Sequence, residues 1–463
     1  ETCGAMADVR EAKRARTDGE EDGSAWVVPA EDVIRIRFVE DETCVLRDDA
    51  NRRDSEEDGD AGSWVCPEFT HQVFGQEEVV KGYEEPRVDV YLDDLTLCAF
   101  VRISYKKKLD DADDIEHALK ETLGLEYSTD PQAFVDAVRR KRAILEESLP
   151  RDAKVCASLE NGIEILRFKP SESDDLRDWH DRMQPMPLLY IDGANYIDNC
   201  DSRWDVYVAI ARSEGASKHR SLAGFSTLYS FFAYPDRRRF RVSQILSFPG
   251  HRRCGIASSI LEAIYSDASL SSNKVVDVTV EDPSDSFQWL RERKDYQRIC
   301  SFSPFFSKVV RDQAQNSKQM IDNGIRPETL LLPKREVYDK AQLELKMHKL
   351  QFRKVWEILL MKEIAGSLKW SNANDVVRAV VKCRLANDEE EKKLKEASTQ
   401  KQVFETGGSE FFMVKAFNVC PSGMIPGSEA QAQDGSNEGE PEEEQADPVD
   451  LRMDQLSEIM TKL

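Results

Sequence analysis

Between residues 204 and 248 apolar and polar positions alternate in three consecutive runs, WDVYVAIAR (204–212), LAGFSTLYSFFAY (222–234) and FRVSQILSF (240–248). A period of two, broken by short polar turns, predicts neighbouring antiparallel strands in a meander. The period then changes. In HRRCGIASSILEAIY (251–265), Ile256, Ile260 and Ile264 recur every four residues with Leu261 beside them, which is one apolar face of a helix. VVDVTV (275–280) reads as a further strand. SDSFQWLRERKDY (284–296) reads as a helix capped by Ser284, with Pro283 just ahead of the cap. Meander, helix, strand, helix is an α+β plan with a strand-to-helix crossover at its centre.

Upstream, DVIRIRFVED (32–41) alternates like a half-buried strand, and VDVYLDD (88–94) and TLCAFVRISY (96–105) predict two neighbouring strands. DIEHALKETLG (114–124), stopped by Gly124, and PQAFVDAVRRKRAILEESL (131–149) predict helices. The runs KKK (106–108) and RRKR (139–142) are read as solvated faces. Residues 47–63 are almost wholly polar and predict a flexible insertion. Downstream, residues 337–364 carry Leu343, Met347, Leu350, Val355, Ile358 and Leu359 on one amphipathic face, for core or partner packing. Residues 426–450 hold nine acidic and no basic residues and read as a disordered tail.

The chain has 463 residues, enough for two or three domains each with its own core. No run approaches the roughly 18–20 apolar residues of a membrane span, no signal peptide is read at the start, and the first methionine is Met6. Ten scattered cysteines without a C-x-x-C pair imply a reducing compartment and no cysteine zinc site, and H-E-x-x-H is absent, so no metal is expected. The net charge of −23 disfavours direct nucleic-acid binding and suits a basic partner or peptide, although the simpler reading is that acidic residues solvate the surface and tails. REAKRAR (10–16) is a basic cluster, either solvated or a weak nuclear-import patch.

Chemistry concentrates at the strand-to-helix junction. Arg252, Gly255 and Ala257 fit R/Q-x-x-G-x-G/A. A loop entering a helix there turns its N–H groups, with the unpaired ones of the first helical turn, toward one point, and the helix dipole adds positive potential for a phosphate or pyrophosphate. Gly255 lets backbone approach closely and Ala257 keeps bulk away. The pattern is neither a P-loop nor G-x-G-x-x-G.

RRCGIA after a strand resembles the acetyl-coenzyme A loop of GNAT-superfamily acetyltransferases. PEFTHQVFG (67–75), YIDGANYID (190–198), SRW (202–204), RVSQIL (241–246) and VVDVTVEDPSDSF (275–287) narrow the resemblance to type B histone acetyltransferase catalytic subunits, over about residues 64–310. It implies a GNAT fold with an N-terminal α/β domain (30–178, insertion 47–63), a catalytic domain (179–310), a C-terminal helical region (311–400), a disordered start (1–29) and a mostly disordered acidic tail (401–463). Acetyl-CoA is the implied cosubstrate. Ile245, Leu246 and Ser247 would pair with its pantetheine arm as an extra strand does, and Arg252, Arg253, Cys254, Gly255, Ile256, Ala257 and Ser258 would hold its pyrophosphate. The side chain of Arg253 has no assigned role.

Only about one lysine amine in a thousand is neutral near pH 7.4, so attack on a thioester needs a base. The resemblance places that base at Glu281. Alternation along VVDVTVED puts Asp277, Thr279 and Glu281 on one face, and like charge from Asp282 with partial burial would raise a carboxyl there. A second family carboxylate falls on Asp192, one methylene shorter than the usual Glu; Asp198 lies nearby without a role. Substrate-peptide positions fall on Gln76, Glu77, Glu78, Trp204, Tyr229, Ser230 and Phe231, of which Gln76, Ser230 and Phe231 depart from the family pattern; Trp204 fits core packing equally. The implied reaction is acetyl transfer to lysines in the tail of newly made histone four, with its histone three partner and a WD-repeat histone-binding chaperone, in nucleus and cytoplasm. Two rivals remain: a GNAT enzyme acting on another amine, and a non-catalytic histone chaperone that keeps the fold.

Overall fold

The computed structural model describes residues 26–51, 64–159, 161–212, 219–270, 274–398 and 447–462. They form two compact units, Glu1–Asp282 and Pro283–Leu463. The basic cluster 10–16, residues 52–63 and residues 426–446 lie outside the described residues.

The first unit holds two main sheets. Strands β1 (Ile34–Val39), β2 (Arg87–Asp93), β3 (Ala99–Ser104) and β4 (Tyr127–Ser128) form a four-stranded sheet in the order β1-β2-β3-β4. Val88, Val90 and Leu92 of β2 face the main core, while Tyr91 packs with Phe100, Phe134, Val135 and Val138 beneath helix α1 (Pro131–Asp152). A strand buried on both faces loses the simple alternation of a half-exposed one, and six of the seven β2 residues are buried. Asp130 caps α1 by accepting from the N–H groups of Gln132 and Ala133, with Pro131 at the first helical position.

Helices α2 (Asp174–Met183) and α3 (Pro185–Tyr190) bridge the sheets, and the fully buried Trp179 donates from Nε1 to Leu95 O at 2.9 Å. The second sheet has six strands: β5 (Lys154–Ser158), β6 (Ile163–Phe168), β7 (Trp204–Arg212), β8 (Arg220–Ala233), β9 (Arg237–Ser247) and β10 (Val275–Val280). Their order is β10-β9-β8-β7-β6-β5, antiparallel except for the parallel pair β9–β10. Helix α4 (Ile256–Ser269) connects that pair and buries Ile256, Ile260, Leu261 and Ile264. The expected α+β plan of meander, helix and strand is thus present.

The second unit is helical, built from α5 (Asp285–Phe302), α6 (Phe305–Asp322), α7 (Arg335–Leu345), α8 (Lys349–Met361), α9 (Ala373–Ser398) and α10 (Pro448–Lys462), with shorter turns between. Ser284 caps α5 as expected, accepting from Phe287 N–H.

Several local expectations are corrected. Residues 47–51 end a helix, Cys44–Asn51, where Asp48 accepts from Arg37 and the Tyr91 hydroxyl, so the polar insertion begins in ordered structure. Arg142 of the RRKR run is no solvated side chain: it binds Asp93 and Asp94, while Lys141 donates to Asp178 at 2.7 Å. The amphipathic stretch 337–364 is broken at Lys346, whose φ is +55°, leaving Leu343 exposed and Leu350 only half-buried. Residues 447–450 open α10 rather than continuing a disordered tail.

Candidate acetyl-transfer site

Two strands that separate define the site. Parallel pairing of β9 with β10 runs from Arg238↔Val275 to Val242↔Val280, followed by one bond from Glu281 N–H to Val242 O at 2.9 Å. Beyond this point β9 continues to Ser247, paired on its other side with β8 through Ser226↔Ile245, Phe225↔Leu246 and Gly224↔Ser247. Among the described residues, 243–247 therefore present one backbone edge with no strand partner. Such an edge accepts an extended amide-bearing chain as an added strand. Gly224 lies beneath it for a packing reason: a Cβ there would stand 2.5 Å from Leu246 O and 2.9 Å from Ile256 Cγ2.

The edge leads through Pro249–His251 into the loop and α4. Gly255 is the residue before α4, in the left-handed region at φ +81°, and Arg253 is also left-handed at φ +62°. The first bond into the helix runs from Ser259 N–H to Gly255 O at 3.0 Å, so the N–H groups of Ile256, Ala257 and Ser258 have no acceptor within the helix. Left-handed turns followed by free helical N–H groups make an anion-binding concavity. A Cβ added at Gly255 would meet nothing within 4 Å, so the space over the loop is open. An unpaired edge ending in this cradle fits the amide arm and pyrophosphate of acetyl-CoA. The Arg252 side chain is engaged elsewhere: its guanidinium pairs with Glu68 and lies 5.5 Å from the centre of the Tyr190 ring.

Glu281 follows the end of β10, and its Oε2 accepts from Ser243 Oγ at 2.7 Å. The partial burial expected of it is absent, since Glu281 and Asp282 are both exposed. Asp282 has φ +30°, a turn out of the strand that aspartate tolerates better than most residues. Asp277 does not share an exposed face with Glu281. A bulge sets Val276 and Asp277 against Arg239 alone, and the fully buried Asp277 carboxylate binds the Arg239 guanidinium.

Asp192 lies in the loop after α3, with its side chain 73% exposed and Oδ1 3.5 Å from His71 Nε2. Among the described residues it shares no hydrogen bond or ion pair with Glu281. The link is indirect, because Gln244, next to Ser243, donates from Nε2 to Asn195 O at 2.6 Å in the same loop. Asp198 accepts from the Cys200 N–H and shapes that loop.

The positions assigned to substrate peptide fall into two groups. Trp204, Tyr229 and Phe231 form a row, with ring centroids 4.7 and 4.6 Å apart. The row already carries cations: Arg203 stands 4.9 Å over Tyr229 and Arg241 4.7 Å over Phe231. Ser230 sits between them and its N–H donates to Arg203 O. In the other group Gln76 and Glu77 are exposed, with Glu77 2.6 Å from Lys81. Glu78 turns back on its own loop, where its carboxylate accepts from Thr70 N–H and Oγ. Sequence reasoning missed Glu68, Ser243 and Gln244, although all three lie inside or beside the motif blocks PEFTHQVFG and RVSQIL.

Residues 26–192 match the family described as the histone acetyl transferase HAT1 N-terminus. Among curated relatives, the histone acetyltransferase type B catalytic subunit of Candida albicans is 27% identical over 342 residues, covering 70% of this chain and 77% of the relative. That of Arabidopsis thaliana is 26% identical, with coverages of 64% and 66%, and that of Homo sapiens is 27% identical, with 63% and 68%. Among solved structures, the xEco2 acetyltransferase domain bound to a CoA conjugate is 16% identical over 29% of this chain and 88% of its own, with a TM-score of 0.21. A ribosomal-protein-alanine N-acetyltransferase from Brucella melitensis gives 18%, 28%, 89% and 0.19. At such TM-scores these two likenesses carry no weight, and the fold stands on its own strand order. By the N-terminal family match and by these relatives the chain is similar to type B histone acetyltransferase catalytic subunits, and the likeness supports an acetyltransferase.

Proposed function

We propose that this protein is a histone lysine acetyltransferase of type B, acting on lysines in the N-terminal tail of newly made histone four. The observation that carries the reading is the cleft where β10 leaves β9, with an unpaired strand edge leading to a helix N-terminus on one side and Glu281 at its mouth. Acetyl-CoA is the cosubstrate and supplies the acetyl group as a thioester. Residues 243–247 hold its amide arm by main-chain hydrogen bonds, and the turn at Arg253 to Ser258 holds its phosphates. Glu281 takes the proton from the substrate ammonium, directly or through one water, and the neutral nitrogen then attacks the thioester carbonyl carbon in a ternary complex. The C–N bond forms, the C–S bond breaks, and the sulfur leaves to be protonated. No protein nucleophile takes part; the exposed Cys254 lies in the phosphate turn, away from that chemistry.

Glu77 and Gln76 supply the polar side of the peptide path, and Trp204, Tyr229 and Phe231 the aromatic side. Asp192 adds negative charge on the neighbouring loop. The family resemblance extends the proposal to histone three and a WD-repeat histone-binding chaperone as partners, and to nucleus and cytoplasm; co-purification with purified histones and such a chaperone tests the assembly. The domain bounds proposed from the resemblance, 30–178, 179–310 and 311–400, are tested by limited proteolysis. Arg203 and Arg241 above the aromatic row favour, as a second reading, an amine substrate less basic than a histone tail.

The deciding experiment measures transfer from labelled acetyl-CoA to histone-four tail peptides, to neutral N-terminal peptides and to polyamines. Wild type should modify the histone peptide best, and Glu281→Gln should lose about 100-fold or more in kcat. Preference for another amine would support the second reading. Full activity of Glu281→Gln across pH would remove Glu281 as the base, and no transfer to any amine would leave a histone-binding role.

A further inference from the structure

The β9 strand contains an extra residue at the point where the cleft opens. Its pairing with β8 steps from Leu228↔Val242 to Thr227↔Gln244, so Ser243 has no cross-strand partner. Pairing with β10 ends beside it, at Val242↔Val280. A bulge of this kind bends the strand and re-aims a side chain. Here the re-aimed group is a hydroxyl, and it donates to Glu281 Oε2 at 2.7 Å. The next residue is held from three sides. Gln244 is 8% exposed; its N–H donates to Thr227 Oγ1 at 3.1 Å, its carbonyl accepts from Ser226 Oγ at 2.7 Å, and its side chain donates to Asn195 O at 2.6 Å. Ser243 thus projects from a strand position fixed on both sides, whereas Glu281 is an exposed carboxylate on three rotatable bonds.

We infer that Ser243 is a positioning residue for acetyl transfer: its hydroxyl holds one oxygen of Glu281 at the mouth of the cleft and leaves the other free to receive the substrate proton. Gln244 anchors the Asp192 loop to the same bulge, so both acidic elements are set by two consecutive side chains of RVSQIL. The inference rests on the reading of Glu281 as the base. A carboxylate free to rotate spends less time in the productive geometry, and losing one such hydrogen bond corresponds to roughly a five- to tenfold fall in rate.

The test compares Ser243→Ala, Ser243→Thr, Glu281→Gln and the double variant Ser243→Ala/Glu281→Gln in the full chain, by steady-state kinetics with acetyl-CoA and a histone-four tail peptide. Ser243→Ala should lower kcat about five- to tenfold while leaving the KM for acetyl-CoA at its wild-type value, which also shows that the cofactor edge is folded. Ser243→Thr, which keeps the hydroxyl, should restore kcat. The double variant should be no slower than Glu281→Gln alone, because the serine acts only through the carboxylate. A fully active Ser243→Ala beside a crippled Glu281→Gln overturns this inference and leaves the base assignment standing. A fall in kcat accompanied by a raised KM and no rescue by threonine also overturns it, in favour of a merely structural bulge. A fully active Glu281→Gln overturns both readings together.

Discussion

Gly255 and Arg253, two residues apart in the phosphate turn, both adopt left-handed backbone, but only one of them is a residue suited to it. For an L-residue with a Cβ this conformation costs roughly 1–2 kcal/mol, least for Asn and Asp and most for β-branched residues. The space over Gly255 is open, so substitution there acts through backbone strain rather than collision. Gly255→Val should raise the KM for acetyl-CoA at least about tenfold, with Gly255→Asn much milder, in initial-rate measurements. Arg253→Gly relieves strain and should keep the wild-type KM; a clear rise would show that the Arg253 side chain itself meets the phosphates. The first arginine was legible as part of the motif only. Its engagement by Glu68, 184 positions earlier in the chain (252 − 68), has no signal in local pattern. Glu78 is held by Thr70, eight residues away, a contact set by the fold of the loop and not by residue spacing.

Strands and helices were the most legible elements, because periods of two and four survive wherever one face is buried. The meander β7–β8–β9 and the helix α4 follow their apolar spacing closely. Bulges did not show. One extra residue at 276–277 turned Asp277 into the core, and another at Ser243 opened the cleft, yet both segments read as plain alternation. Loops are fixed by contacts that spacing does not encode, and the 191–203 loop illustrates this. Buried His180 of α2 lies with Nδ1 2.7 Å from Asn199 Oδ1, while Gln184 Oε1 accepts from Ile197 N–H at 2.7 Å. Burial pushes the His180 imidazole from 6.5 down to about 4. In the unfolded chain it protonates near 6.5, so the folded state is fully supported above that pH and loses stability as pH falls toward 4. The loss by pH 4.5 is about 2–3 kcal/mol, on top of the ordinary carboxylate effects. His180→Gln, which does not titrate, should show a smaller decline in denaturant midpoint between pH 7 and 4.5. Parallel pH curves for the two proteins would refute the assignment.

At the scale of the whole chain, sequence reading stopped short of the last helix. A run of acidic residues precedes α10, and its ionic partners in α9, α8 and α5 (Arg378, Glu357 and Glu292) lie 72, 95 and 160 residues upstream, so nothing local marks it as structural. Met453, Leu456 and Ile459 join the core of the second unit, and Arg452, next to Met453, enters a buried ionic cluster. Arg452, 8% exposed at its side chain, donates to Glu292 Oε2 at 2.7 Å, to Glu357 Oε2 at 2.9 Å and to Lys354 O at 3.1 Å. Glu357 also binds Arg384, which with Arg353 binds Asp388. The two glutamates are 1% exposed, so removing Arg452 strands negative charge away from water. Breaking one member out of a buried ion pair costs about 3–5 kcal/mol. Arg452→Ala should therefore lower the unfolding temperature of the second unit and release hydrogen-exchange protection in α5 and α8 around Glu292 and Glu357. Arg452→Lys should recover little, because an ammonium cannot span two carboxylates and a carbonyl as the guanidinium fork does. If Arg452→Ala keeps wild-type protection in both helices, α10 is an appendage; if protection collapses, the residues after the acidic run are part of the fold, and truncation at that run removes structure along with charge.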